Sequence, residues 1–134
     1  MIHLEDLMVG DWVYDAVLKK AIILNNLPYG IDLSNREGIP VTKEILEKIG
    51  FKEDTALVKF YRYWEKGDKY KLDVDEGYTN SGRMWSVHID NDVCNTIGSG
   101  EFDYVHELQN LVRINCKADL PITKEVFDGL GDES

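Results

Sequence analysis

Few residues in this sequence are typed and spaced for chemistry, and the best placed is His88. Ser86, His88 and Asp90 alternate with Trp85, Val87 and Ile89, the pattern of a half-buried strand. On an extended strand, alternate side chains share a face and stand about 7 Å apart. Asp73, on a strand expected alongside, can join them. A hydroxyl, an imidazole and a carboxylate together suggest nucleophilic catalysis, and imidazole with carboxylates suggests a metal site. The simpler alternative is a solvated strand face, and it is preferred. No third ligand is specified, and no strained elbow presents the serine. Cys94 does not complete a dyad with His88. With a turn at Asn91-Asp92, Cys94 faces Ile89, lies on the opposite side of the sheet from His88 and reads as core, although a slip of one residue reverses this.

Other candidates are weaker. Asp73-x-Asp75-Glu76-Gly77 and Asp90-Asn91-Asp92 lack the ligand spacing of a calcium loop, and such side chains commonly bond their own backbone in turns. Gly98-Ser99-Gly100 lacks the Gly-Lys-Ser/Thr ending of a phosphate loop. Phe60, Tyr61, Tyr63 and Trp64, with Lys59 and Arg62 among them, offer rings for stacking bases. A half-buried strand explains them as well. His106, Gln109 and Asn110 lie three or four residues apart, on one helix face. They make either a recognition face or a polar seam bonded to the backbone edges of a sheet, and the seam is preferred. His3 carries no information. No catalytic, cofactor-binding or metal residue is assigned from the sequence.

Charge restricts the partners. The 134 residues carry 15 Lys and Arg against 25 Asp and Glu, a net −10. Such a chain lacks the basic face that releases counterions from phosphates, and it does not suit anionic membranes. Neither direct nucleic-acid binding nor membrane docking is expected. Residues 1–66 hold 9 basic and 11 acidic side chains, and residues 67–134 hold 6 and 14. Asp119–Ser134 alone carries five acids and one base. The opening Met1-Ile2-His3-Leu4-Glu5-Asp6 has no basic or apolar leader pattern, and Cys94 and Cys116 form no disulfide framework. A cytoplasmic protein with two reduced, partly buried thiols is expected.

The elements that must position these residues are mostly strands. Gly10–Tyr14 and Lys20–Leu24 read as the first two, followed by a turn-rich stretch from Asn25 to Gly38. Thr42 caps a helix over Lys43–Ile49 whose apolar face is Ile45, Leu46 and Ile49, and Gly50 stops it. Leu57–Trp64 and Tyr70–Val74 flank a turn at Glu65–Asp68. Asp75–Gly82 is a second loop, Trp85–Asp90 is a strand, and Val93–Ile97 returns from the turn after it. Antiparallel hairpins follow from these short connections. A second helix is expected from near Asp103, capped by that residue, with Val105, Leu108, Leu111 and Val112 as its apolar stripe. The expectation is one α+β domain over residues 1–134: an antiparallel, strongly twisted sheet or small open barrel with two short helices packed on it.

The sequence also echoes itself. Ile39-Pro40-Val41-Thr42-Lys43-Glu44 returns 81 residues later as Leu120-Pro121-Ile122-Thr123-Lys124-Glu125, and Gly50 returns as Gly131. A duplicated strand-into-capped-helix element and convergence on good capping chemistry both explain this. The acidic extension 116–134 is expected to form a short third helix if Val126, Phe127 and Leu130 find a surface, on this domain or on another chain.

Three pieces together carry a resemblance: Leu4-x-x-Leu7-x-Val9-Gly10-Asp11-Trp12-Val13, the Pro40-Val41-Thr42-Lys43-Glu44…Gly50-Phe51 element, and Tyr104-Val105-His106-Glu107-Leu108-Gln109-Asn110-Leu111. In this order the chain resembles a group of small uncharacterised proteins of gut Bacteroidetes genomes and their phages or mobile elements. The resemblance runs from about residue 4 to 114, with the last motif the most specific, and the chain departs from it in its C-terminal extension. It implies a strand-rich fold and a mobile-element setting, and it carries over no catalytic residue.

Three functions are weighed. The first is a non-enzymatic module that binds a protein partner or itself. The second is an acidic nucleic-acid mimic that inhibits a basic host protein. The third is a small hydrolase or metal-dependent enzyme using His88 with Asp73, Ser86 or Asp90.

Overall fold

A computed structural model describes residues 7–8, 10–24, 36–55, 59–64, 70–76, 82–91, 96–117 and 119–128, with side chains left aside at 54–55, 59–64 and 91. The chain is α+β. Trp12–Asp15 (β1) pairs antiparallel with Lys20–Ile23 (β2) and with Arg36–Glu37 (β3) in a three-stranded sheet of order β2-β1-β3. Lys52–Thr55 (β4), Lys59–Trp64 (β5), Tyr70–Glu76 (β6), Trp85–Asn91 (β7) and Thr96–Phe102 (β8) form a five-stranded antiparallel meander in sequence order. Helices span Lys43–Ile49 (α1) and Val105–Cys116 (α2), and Lys124–Phe127 is one turn of 3₁₀ helix.

Period-two patterning decides the large sheet. Tyr70, Leu72, Val74, Trp85, Val87 and Ile89 are buried, and Lys71, Asp73, Ser86 and His88 alternate on the other face. One main core gathers these side chains with Ile45, Leu46 and Ile49 of α1, Val105, Leu108 and Val112 of α2, and Trp12 from the small sheet. On the opposite face of the small sheet, Val13 packs with Leu7 and Leu24. Thr42 caps α1 as expected, its Oγ1 accepting the Ile45 N–H at 3.2 Å. Gly50, at φ 129°, ends the helix in backbone that glycine favours.

Several expectations need correction. The residue before α2 that caps it is Tyr104, not Asp103. Glu107, in the first turn, folds back so that its Oε1 accepts the Asp103 and Tyr104 N–H groups at 3.0 and 3.1 Å. Asp103 instead accepts the Met84 N–H at 2.7 Å. Ile89 faces Gly98, not Cys94. The return strand is described from Thr96, residues 93–95 lying outside the described residues, and a bulge between Ile89 and Asp90 shifts the register. Asn91 belongs to β7. Cys94, Asp92, Gly77, His3 and the 65–68 turn lie outside the described residues. So do the side chains of Phe60, Tyr61, Tyr63 and Trp64, although their strand is present. Cys116 is half-buried.

The echoed segment follows its first copy in burial. Ile39, Val41, Ile45 and Leu46 are buried, and their counterparts Leu120, Val126 and Phe127 are buried too, with Ile122 half-buried. The second copy lies on this domain's own core. The Phe127 ring sits 5.1 Å from that of Trp12, and Lys48 of α1 reaches the Asp128 carbonyl at 3.5 Å. It winds as 3₁₀ rather than α, with Val126 N–H bonded to the Thr123 carbonyl at 3.1 Å and no capping bond from the Thr123 side chain.

Candidate functional site

Three groupings of polar side chains emerge. The first surrounds His88 on the outer face of the large sheet. His88 Nε2 lies 3.1 Å from Asp90 Oδ1 and 3.0 Å from Thr96 Oγ1, and the Thr96 hydroxyl donates to Asp90 at 3.3 Å. Asp73 is the register partner of His88 on β6. Lys71 Nζ bridges Asp73 at 3.7 Å and Asp90 at 3.5 Å. Asp75, the register partner of Ser86, has its carboxyl pushed above the usual range by burial and by the Asp73 charge, with His88 pulling the other way.

The structure thus brings His88, Asp90 and Asp73 together and leaves Ser86 two residues along the strand. Thr96, which the sequence reading passed over, is the hydroxyl in contact. A proton relay needs carboxylate and hydroxyl on opposite ring nitrogens, so that one orients the imidazole while the other loses its proton. Here both converge on Nε2. The cluster can lock a strand pair, but it is not arranged to activate the hydroxyl. Asp90, expected on a solvated face, is 8% exposed, because Lys71, His88 and Thr96 cover it. Among the described residues, no three His, Cys, Asp or Glu side chains converge as a metal site requires.

The second grouping joins the start of the chain to α2. Gln109 is buried, and its amide serves two backbone groups: Oε1 accepts the Trp12 N–H at 2.9 Å, and Nε2 donates to the Gly10 carbonyl at 3.1 Å. At Gln109 this is the expected polar seam. Arg113 Nη1 donates to Asp11 Oδ1 at 2.6 Å and to Asn110 Oδ1 at 3.2 Å, and Arg113 Nε donates to Asp119. Asp11 is fully buried, and its other oxygen accepts the Met8 N–H at 2.8 Å. Gly10 has φ 94°, and a Cβ there would stand 2.8 Å from the Arg113 guanidinium. His106 is buried at the start of the helix, its ring stacked 5.8 Å from that of Tyr104.

The segment 38–41 closes the same region. It runs antiparallel to 103–105: Val41 N–H bonds the Asp103 carbonyl at 2.9 Å, and Val105 N–H bonds the Ile39 carbonyl at 2.8 Å. The three motifs that carry the resemblance therefore meet around α2. Gln109 of the last motif bonds Gly10 and Trp12 of the first, which gives a structural reason for both.

The third grouping is the outward flank of α2. Arg83 pairs with Glu107 and, at 3.4 Å, with Asp103. Beside this ion pair, Met8, Leu111 and Ile114 line an open concavity of about 420 Å³ with Glu101 of β8 on its border. Ile114 is 68% exposed. The sequence stripe of α2 hid this flank, because Leu111 counted towards the buried side.

No helix is long and apolar enough to cross a membrane, among the described residues. Comparison with protein-family models, curated proteins and solved structures found no match.

Proposed function

We propose that this chain is a non-enzymatic protein-interaction module, acting in the cytoplasm and belonging to the mobile-element type that its motifs resemble. The observation that carries this reading is the α2 flank. An aliphatic side chain as exposed as Ile114, next to Leu111 and Met8 and edged by Arg83, Glu101 and Glu107, has the apolar centre and charged rim of a docking patch. The rest of the polar inventory points inward: Gln109, Arg113, Asp11 and Glu107 are engaged in the fold. The His88 cluster supports the enzyme reading less, since its carboxylate and hydroxyl share one nitrogen. The net −10 supports a basic partner, which leaves the nucleic-acid-mimic reading as the second choice.

Partner capture from host lysate, with light scattering for size, tests the reading. The expected result is a captured protein that Ile114→Lys releases while its unfolding midpoint stays unchanged. A strict monomer that captures nothing overturns it. Hydrolysis or metal-dependent turnover that His88→Ala abolishes also overturns it, in favour of the enzyme.

A further inference from the structure

The two outer strands of the large sheet are protected very differently. β4 is four residues long, and three of them, Lys52, Glu53 and Asp54, are charged. Short, charged strands are how proteins blunt an edge against pairing with other chains. β8 is seven residues long, Thr96-Ile97-Gly98-Ser99-Gly100-Glu101-Phe102. It has no Pro and no Lys, and its one charge is Glu101. Among the described residues, β7 is its only paired neighbour in the sheet. The bulge opposite Ile89/Asp90 affects its first residues, and from Gly98 to Phe102 the ladder is regular.

The helix above β8 turns this edge into a slot. Gly98 and Gly100 face α2 so closely that a Cβ on either would stand 2.3 Å from Asn115 Oδ1 or 2.7 Å from Leu111 Cδ2. Glu101 of the strand and Leu111 and Ile114 of the helix border one concavity. A chain laid along β8 would thus meet backbone groups on one side and an aliphatic wall above.

Resting on the interaction reading above, we infer that β8 accepts an extended segment of a basic partner protein as a sixth strand. Alternate side chains of an added strand fall on opposite faces of the sheet. On the α2 side they meet Leu111 and Ile114, which selects aliphatic residues. On the other side they meet Ser99, and the chain's net −10 favours Lys or Arg there. Self-pairing is the competing occupant, and charge disfavours it: two copies would bring −10 against −10.

The test uses the full chain and a fluorescent peptide in which Val and Lys alternate, read by anisotropy and amide hydrogen exchange. Binding should weaken with salt and slow exchange across residues 96–102. N-methylation of the alternate amides in one register should weaken it by about tenfold or more, and in the other register should leave it intact. A Val/Glu peptide should not bind. Ile114→Lys should weaken binding by about tenfold without moving the unfolding midpoint. Equal binding of both N-methylated peptides, no protection at 96–102, or no binding overturns the inference. Protection of 96–102 by concentration-dependent self-association without peptide overturns it too. A partner captured from lysate and held equally by Ile114→Lys rejects this surface alone, whereas a chain that captures nothing rejects the interaction reading itself.

Discussion

Arg113 Nη1 stands 2.6 Å from Asp11 Oδ1, and the carboxylate it meets is sealed from solvent. The pair ties the start of the chain to α2, and through Asp119 it also holds the C-terminal segment. Its two members are not equivalent. Removing Arg113 leaves Asp11 buried with, among the described residues, the Met8 N–H to bond it, whereas removing Asp11 leaves Arg113 with Asp119 and Asn110. Arg113→Ala should therefore cost about 3–5 kcal/mol, as for other broken buried pairs, and Asp11→Ala distinctly less. Urea unfolding of both variants measures this, and equal losses would contradict the asymmetry.

Gly98 should resist even the smallest side chain. The methyl of Gly98→Ala would collide with Asn115 Oδ1, and Asn115 is held by its bond to the Leu111 carbonyl at 2.8 Å. We expect a loss of about 1–3 kcal/mol, the usual cost of overpacking. Asn115→Ala in the same chain should recover much of it, and a double-mutant cycle reads that coupling. Additive losses would place the strain elsewhere.

The C-terminal turn should behave as core rather than appendage. Phe127 is buried against Trp12, so Phe127→Ala should cost about 3–5 kcal/mol. Thermal unfolding of this variant, or of a chain ending before Leu120, should show the loss as one cooperative shift. An unchanged midpoint would make the segment dispensable.

Two aspartates should pull the pH dependence of stability in opposite directions. The Asp15 carboxyl is held below its usual range, chiefly by the Leu18 N–H, with help from the Val17 N–H and the Arg36 charge that outweighs desolvation. Its contribution is present above the unfolded-state pKa and is lost as pH falls through the lower folded value. Asp75 is raised by burial and by Asp73. Above its folded pKa it opposes folding, and that penalty disappears on acidification. Asp15→Asn should lower stability at neutral pH and flatten the acid limb of the curve. Asp75→Asn should raise stability at neutral pH, with the gain fading towards acid. Denaturant midpoints across the acid range decide both signs.

Local chemistry explains how much was legible beforehand. Thr42 and Gly50 bound α1 through interactions within a few residues, so type and order suffice to place it. The alternation in Tyr70–Val74 and Trp85–Ile89 names the buried face without any partner, because the period of a strand is a property of one chain segment. The polar seam at Gln109 was readable as a helix face, although its bonds to Gly10 and Trp12 were not.

What failed depended on residues far apart. Asp103 is the better cap by type, but Met84 and Arg83, which precede β7, engage it instead and leave Glu107 to serve the N–H groups at the start of α2. Ile89 found Gly98 instead of Cys94, with a bulge between Ile89 and Asp90, because register is a relation between strands. Asp90 was covered by side chains from β6 and β8 that its own strand does not encode. By itself the sequence determined the elements, their inward faces and the acidic balance, since these are set by local propensity, periodicity and composition. Only the tertiary structure decided that Gln109 and Arg113 of α2 serve the fold, and that Leu111 and Ile114 border an unblunted strand edge. Both are outcomes of packing between segments that the sequence keeps apart.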